Sequence, residues 1–172
     1  MYTKDLNPSE YNPYYKPFVE KIDKETTLLN ALIESKEDVT TFFKQIPMTK
    51  LSYRYDVGKW TPREVFMHII DTERIFSYRA LRFARKDKVD LLGFDQNDYI
   101  LPSKADSRTI DSLIKEYKAV RNATIVLFEN LDDKMLTEIG MGSGSPMSVR
   151  ALGFITVGHE KHHVSIIKER YL

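Results

Sequence analysis

The four histidines of this 172-residue chain fall in two places: His68 alone, and His159, His162 and His163 together near the C-terminus. Four residues apart on a helix means about 40° of arc and one turn of rise, so His159 and His163 project from the same side. Leu152, Ile155, His159, His163 and Ile166 all lie within roughly 60° of one direction on an ideal helix. The pair therefore points with the apolar stripe into the core. An imidazole there needs a partner, because an unpaired buried polar group costs on the order of 1–3 kcal/mol. A single core histidine commonly bonds a carbonyl, whereas two at this spacing can share one metal ion. His162 stands about 60° from His159 and His163 about 40°. Geometry thus prefers His163 as the second ligand without excluding its neighbour.

His68 supplies the third imidazole. It lies in Thr61-Pro62-Arg63-Glu64-Val65-Phe66-Met67-His68, beside a stripe of Val65, Ile69, Phe76 and Phe83. Taken alone, it reads equally as a histidine on a helix surface. Joined to the C-terminal pair, it completes a three-ligand site with an exchangeable position. Nitrogen donors suit zinc or nickel, not the oxygen-seeking magnesium or calcium. Such an ion can bring the pKa of a bound water down to about 7, or it can hold a thiol as its thiolate. The chain contains no cysteine, so that thiol would be an external low-molecular-weight one. Glu160, about 100° from His159 on an ideal helix, is the candidate catalytic base, with a salt bridge as the plainer alternative. Asp71, one turn beyond His68, is a candidate acceptor behind that ligand. Asp95 and Tyr99 either border the site or serve only their own loop.

These residues need long helices to hold them, and the sequence supplies helical patterns and little else. After an N-terminal arm (residues 1 to about 13), one helix is expected from Tyr14 or Pro17 to Gln45. Thr61 as N-cap, Pro62 in the first turn and Glu64 three residues after the cap start a second, running to about Lys86. A long connection follows. A third helix, capped by Asp106 or Ser107, carries Ile110, Leu113, Ile114, Tyr117, Val120, Ile125 and Phe128. Gly140 to Pro146 form a turn cluster, and a fourth helix runs from about Pro146–Ser148 almost to Leu172. Four amphipathic helices predict an all-α four-helix bundle, a single domain over residues 1–172. The connection of about 20 residues between the second and third helices permits those two to run parallel.

Composition narrows the partners. A net charge of +1 and a pI near 7.9 argue against nucleic acid or an anionic membrane as the dominant partner. The absence of cysteine excludes a disulfide scaffold and a thiolate metal site. No apolar run at the N-terminus suggests a signal peptide, and no stretch approaches the ~20 apolar residues of a membrane span. A cytoplasmic protein acting on a small-molecule substrate is expected. The Tyr-rich arm, together with Leu81 and Leu127 on additional apolar faces, suggests a homodimer.

Three segments, taken in order and spacing, carry a family resemblance: Lys59-Trp60-Thr61-Pro62-Arg63-Glu64 leading into His68-Ile69-Ile70-Asp71, then Gly93-Phe94-Asp95-Gln96, then Gly158-His159-Glu160-Lys161-His162-His163. Together they resemble the DinB-like (YfiT-like) bundles, a family described as metal-dependent hydrolases, over nearly the whole chain. The resemblance implies an up-down-down-up topology and a divalent metal held by His68, His159 and His163. It also implies hydrolase chemistry or transfer to low-molecular-weight thiols.

His159-Glu160-Lys161-His162-His163 is in addition a literal H-E-x-x-H, the zinc-protease signature. That reading needs a third ligand downstream. Only nine residues follow His163, and Glu169 among them is too near on the same helix. No strand-rich region offers an edge for an extended peptide. Two function classes remain: a metalloenzyme, hydrolase or thiol S-transferase, and a non-catalytic bundle whose metal or histidine cluster is structural or binds a small ligand.

Overall fold

The helix that carries His68 begins as its capping residues dictate. In the computed structural model, which describes residues 1–172, the Thr61 hydroxyl accepts from the backbone N–H of Glu64. The Glu64 carboxylate accepts in return from the N–H of Thr61, closing a capping box. In chain order the elements are α1 (Lys16–Val19), α2 (Leu28–Gln45), α3 (Pro62–Ala84), α4 (Gln96–Ser103), α5 (Ile110–Glu129), α6 (Asp133–Leu136), β1 (Ile139–Gly142), β2 (Ser145–Ser148) and α7 (Val149–Arg170). The long helices α2, α3, α5 and α7 form the four-helix bundle, in which α3 and α5 each pack against α2 or α7 and against one another.

Cross-helix pairs give the directions. Glu73 meets Arg121 and Ser77 meets Thr124, so α3 and α5 run parallel. The Tyr171 hydroxyl donates to the Trp60 carbonyl, His68 faces His163, and Phe76 faces His159, so α7 runs antiparallel to α3. Leu28 lies against Gly153 and Phe42 beneath Lys168, which makes α2 parallel to α7. The result is the up-down-down-up topology. Its parallel α3–α5 step uses the long connection as a crossover.

The interior is two apolar clusters with polar groups between them. One is built around Leu32, Phe83, Phe128, Leu152 and Phe154, the other around Phe43, Phe66, Ile70, Leu113 and Ile167. Phe43 and Phe66 stack with ring centroids 3.8 Å apart. At the junction sit His68, Glu73, Tyr117, Arg121, His159 and Glu160, all buried. No helix is long and apolar enough to cross a membrane.

Several boundaries differ from the sequence expectation, each for a physical reason. The single helix expected up to Gln45 is broken. Chain 20–27 turns, and α2 starts at Leu28 with the Thr27 hydroxyl accepting from Asn30 N–H at 3.3 Å. The break lets α1 lie across α7 at Gly158, where an added Cβ would stand 2.1 Å from the Phe18 carbonyl oxygen. α5 is capped by Thr109, not by Asp106 or Ser107. The Asp106 carboxylate is taken by the Thr61 hydroxyl at 2.6 Å and by Arg54.

The connection after α3 contains α4, whose N-cap is Asp95. The glycine-rich turn cluster is a β-hairpin. Ser143 and Gly144 both take positive φ at its tip, the geometry a tight two-residue hairpin requires. Leu91 of the connection bonds to this hairpin through Met141 and Ser143. The N-terminal arm folds onto its own chain: Glu10 is buried and binds Arg150 and Ser148. Leu127 packs against the chain's own core, while Leu81 is exposed.

Candidate metal centre

α7 reaches the centre of the bundle because it is buried on every side from Ala151 to Glu160. The Ser148 hydroxyl caps it, accepting from Ala151 N–H at 3.0 Å. Its third and fourth turns bring His159 and His163 opposite His68 on the antiparallel α3. His159 Nε2 lies 3.0 Å from His68 Nε2 and 3.0 Å from His163 Nε2. The donor atoms of the three residues all lie within 4.8 Å of one another. Two nitrogens bound to one tetrahedral ion at about 2.0–2.1 Å each stand about 3.3 Å apart. The two 3.0 Å separations would open by about 0.3 Å to match that spacing.

Burial sets the protonation state. Desolvation pulls His68 down to about 4 and, helped by neighbouring imidazoles, His163 down to about 3; it lowers His159 as well. All three rings are neutral near pH 7 and present lone pairs, as metal ligands must. Thr72 Oγ1 lies 3.4 Å from His68 Nδ1, the outer ring nitrogen, and leaves Nε2 to face the cluster. Aromatic rings close the surroundings: Trp60 packs on His68 at 5.0 Å and Phe18 meets His159 edge-on at 5.7 Å. Nitrogen donors, neutral charge and convergence together make the cluster capable of holding a metal ion.

The remaining candidates separate clearly. His162 turns away, half-buried, with its ring 5.0 Å from Phe18. Glu160 does not face the histidines as a general base. It is fully buried, and its carboxylate accepts from Arg121 Nη2 at 2.8 Å, from Arg121 Nη1 at 3.2 Å and from the Tyr117 hydroxyl at 2.8 Å. The salt-bridge alternative is the one the structure contains. Asp71 pairs with Arg74, so the contact behind His68 comes from Thr72 and not from the carboxylate one position earlier. Asp95 caps α4, and Tyr99 packs on Phe94 at 5.0 Å.

Two cavities flank the cluster. One, of about 140 Å³, is lined by His68 and His159 with Tyr15, Phe76, Arg79 and Phe94. The other, of about 220 Å³, is lined by His163 with Trp60, Tyr55, Asn97 and Tyr171. A larger groove of about 650 Å³ between α2 and α7 touches none of the three histidines. The crossover contributes Phe94 and Gln96 to the first cavity and Asn97 to the second.

Sequence reasoning missed Thr72, Arg79, Phe18 and Tyr15. Thr72 was legible at i+4 from His68. The others reach the cluster only through the break before α2 and the placement of the hairpin.

Comparison with known proteins follows the same lines. The chain resembles the solved structure of YfiT from Bacillus subtilis, described as "a probable metal-dependent hydrolase with an unusual four-helix bundle topology". The TM-score is 0.75 at 15% identity, over 86% of this chain and 90% of that one; at that identity the likeness establishes the fold. No curated protein matches the sequence. The profile of the DinB superfamily matches residues 31–167, most of the chain and the whole histidine cluster, and the protein belongs to that superfamily.

Proposed function

We propose that the protein is a metalloenzyme in which His68, His159 and His163 hold one zinc or nickel ion and a small molecule reacts beside it, by hydrolysis or by transfer to a low-molecular-weight thiol. The observation that carries this reading is the convergence of three neutral imidazole nitrogens between two cavities. Bound there, the ion would supply Lewis-acid activation of a water, a thiol or a substrate oxygen.

The chain's own groups do the rest. Burial keeps the three imidazoles unprotonated, and Thr72 takes up the outer nitrogen of His68. Trp60, Phe18 and Phe76 exclude bulk water from the cluster. Tyr15 and Gln96 line the cavity beside His68 and supply a hydroxyl and an amide that can orient a polar substrate.

A second reading has its own support. The cluster joins α3 to α7 in the middle of the bundle, where an ion would cross-link two helices and act as a structural staple. Metal analysis of untagged protein purified without a nickel column comes first. A thiol-transfer and esterase screen on the metal-loaded protein then separates the readings. Turnover that depends on metal and disappears in His159→Ala supports the enzyme. Stoichiometric metal that raises the unfolding temperature without any turnover supports the staple. Absence of metal at any pH above 7 overturns both.

A further inference from the structure

Two arginines are almost fully buried in this protein, and their surroundings differ in one respect. Arg121, in the polar layer of the bundle, binds the carboxylates of both Glu73 and Glu160. Arg79, 2% exposed, has no carboxylate partner. Its Nη2 donates to the Leu92 carbonyl at 3.0 Å and to the Ser143 hydroxyl at 2.8 Å. Nε and Nη1 have no acceptor within the protein, yet neither is among the sealed-off polar atoms left without a partner. Both therefore keep some exposure, and Arg79 lines a cavity together with His68 and His159.

A buried guanidinium without a counter-charge is costly to keep, and burial lowers its hold on its proton. The fold nevertheless fixes it. Gly142 of β1 lies directly on the side chain: a Cβ there would stand 3.3 Å from Arg79 Cδ. The cavity supplies no acid of its own. Its other polar groups are hydroxyls, the Gln96 amide and the histidines, and its walls include the rings of Tyr14, Tyr15, Phe18, Phe76 and Phe94.

We infer that Arg79 is the anion-recognition residue of this cleft, and that the small molecule admitted beside the histidines is an organic acid whose apolar or aromatic body lies among those rings with its carboxylate on the free edge of the guanidinium. Arginine suits this task because its planar fork matches a carboxylate through two charge-assisted hydrogen bonds. As the substrate class of the site, the assignment rests on the metalloenzyme reading above. The contact between Arg79 and the carboxylate needs no ion.

Benzoate and benzamide, which share a ring and differ in charge, test it by calorimetric titration of the full-length protein. Chelator-treated protein is used first, so that a carboxylate cannot report metal binding, and zinc-loaded protein second. Benzoate is expected to bind the metal-free protein at least tenfold more tightly than benzamide. Arg79→Met should erase that difference, and Arg79→Lys should keep part of it. Because Arg79→Met also removes the bonds to Leu92 and Ser143, the wild-type Arg79 Nε–H resonance provides a second readout. It should shift with benzoate and not with benzamide.

Equal binding of the two probes, binding of neither, or an unmoved Arg79 resonance would overturn the inference. Metal binding that fails while the benzoate preference persists sinks the proposed metalloenzyme and leaves the Arg79 site standing. The converse result removes the organic acid and keeps the metal.

Discussion

His159 and Glu160 are adjacent in the chain and belong to separate networks: the imidazole meets His68 and His163, while the carboxylate is enclosed by Arg121 and Tyr117. The turn of about 100° between successive residues of a helix sends one side chain to the cluster and the other into the buried layer shared with α2, α3 and α5. The H-E-x-x-H string is thus divided between a candidate metal centre and an ion-pair network. In the zinc proteases, by contrast, the glutamate acts beside the metal.

Removing one ligand at a time should expose the centre. His68→Ala, His159→Ala and His163→Ala are each expected to weaken zinc binding by more than about 100-fold. Thr72→Val, which removes only the contact behind His68, should cost about tenfold. His162→Ala should change affinity little, since its ring lies against Phe18. Competition titration with a chromogenic chelator measures all five. A His162→Ala protein that loses the metal while His163→Ala keeps it would reverse the assignment.

Glu160 should behave as a stability residue. Arg121→Met leaves the carboxylates of Glu73 and Glu160 without their partner in the fully buried layer, whereas Glu160→Gln removes one of the two carboxylates on Arg121 and keeps Glu73 in place. Breaking such a pair costs about 3–5 kcal/mol. Urea unfolding should show a loss of that order in Arg121→Met and a smaller one in Glu160→Gln, with zinc affinity nearly unchanged in Glu160→Gln. A normal unfolding midpoint together with lost turnover would instead make Glu160 a catalytic group.

The metal-free protein should lose stability as it is acidified, and the sign follows from the histidines. In the unfolded chain they take up protons near pH 6.5, while in the folded protein His68 waits until about 4 and His163 until about 3. Between these values the unfolded state holds more protons, so stability is complete above about pH 6.5 and falls as pH drops through the window. The slope is on the order of 1 kcal/mol per pH unit for each such imidazole. Unfolding temperatures of chelated protein between pH 7 and 4 check this. His68→Phe, which removes one titrating ring, should flatten the decline.

Gly158 should be intolerant of any side chain. An alanine Cβ would meet the Phe18 carbonyl at 2.1 Å, and backbone yields less readily than a side-chain tip. Gly158→Ala is therefore expected to lift α1 from α7 at a cost of about 1–3 kcal/mol. Faster amide exchange across residues 14–22, next to His159, would record the displacement. Unchanged exchange in that segment would show that the crossing absorbs the methyl group.

Local patterns in the chain reveal the long helices and the three candidate histidines, because both signals are periodic or local. Thr61, Pro62 and Glu64 specify the start of α3 within one turn, and the four-residue spacing puts His159 and His163 on one face whatever the helix packs against. The apolar stripes of α2, α3, α5 and α7 require a bundle, and the long connection permits its parallel step. Tertiary structure alone decided the rest. Asp106 could have capped a helix, but Thr61 and Arg54, about 45–52 residues away in sequence, claim its carboxylate. Glu160 had two plausible roles until Arg121 and Tyr117 of α5 arrived beside it. Arg79 looks like any arginine on an amphipathic helix, and only the fold of the hairpin over α3 buries it without an acid. Helical periodicity fixes where a side chain points on its own helix. Which partner meets it there depends on chain segments dozens of residues away, and short-range patterns carry no record of them.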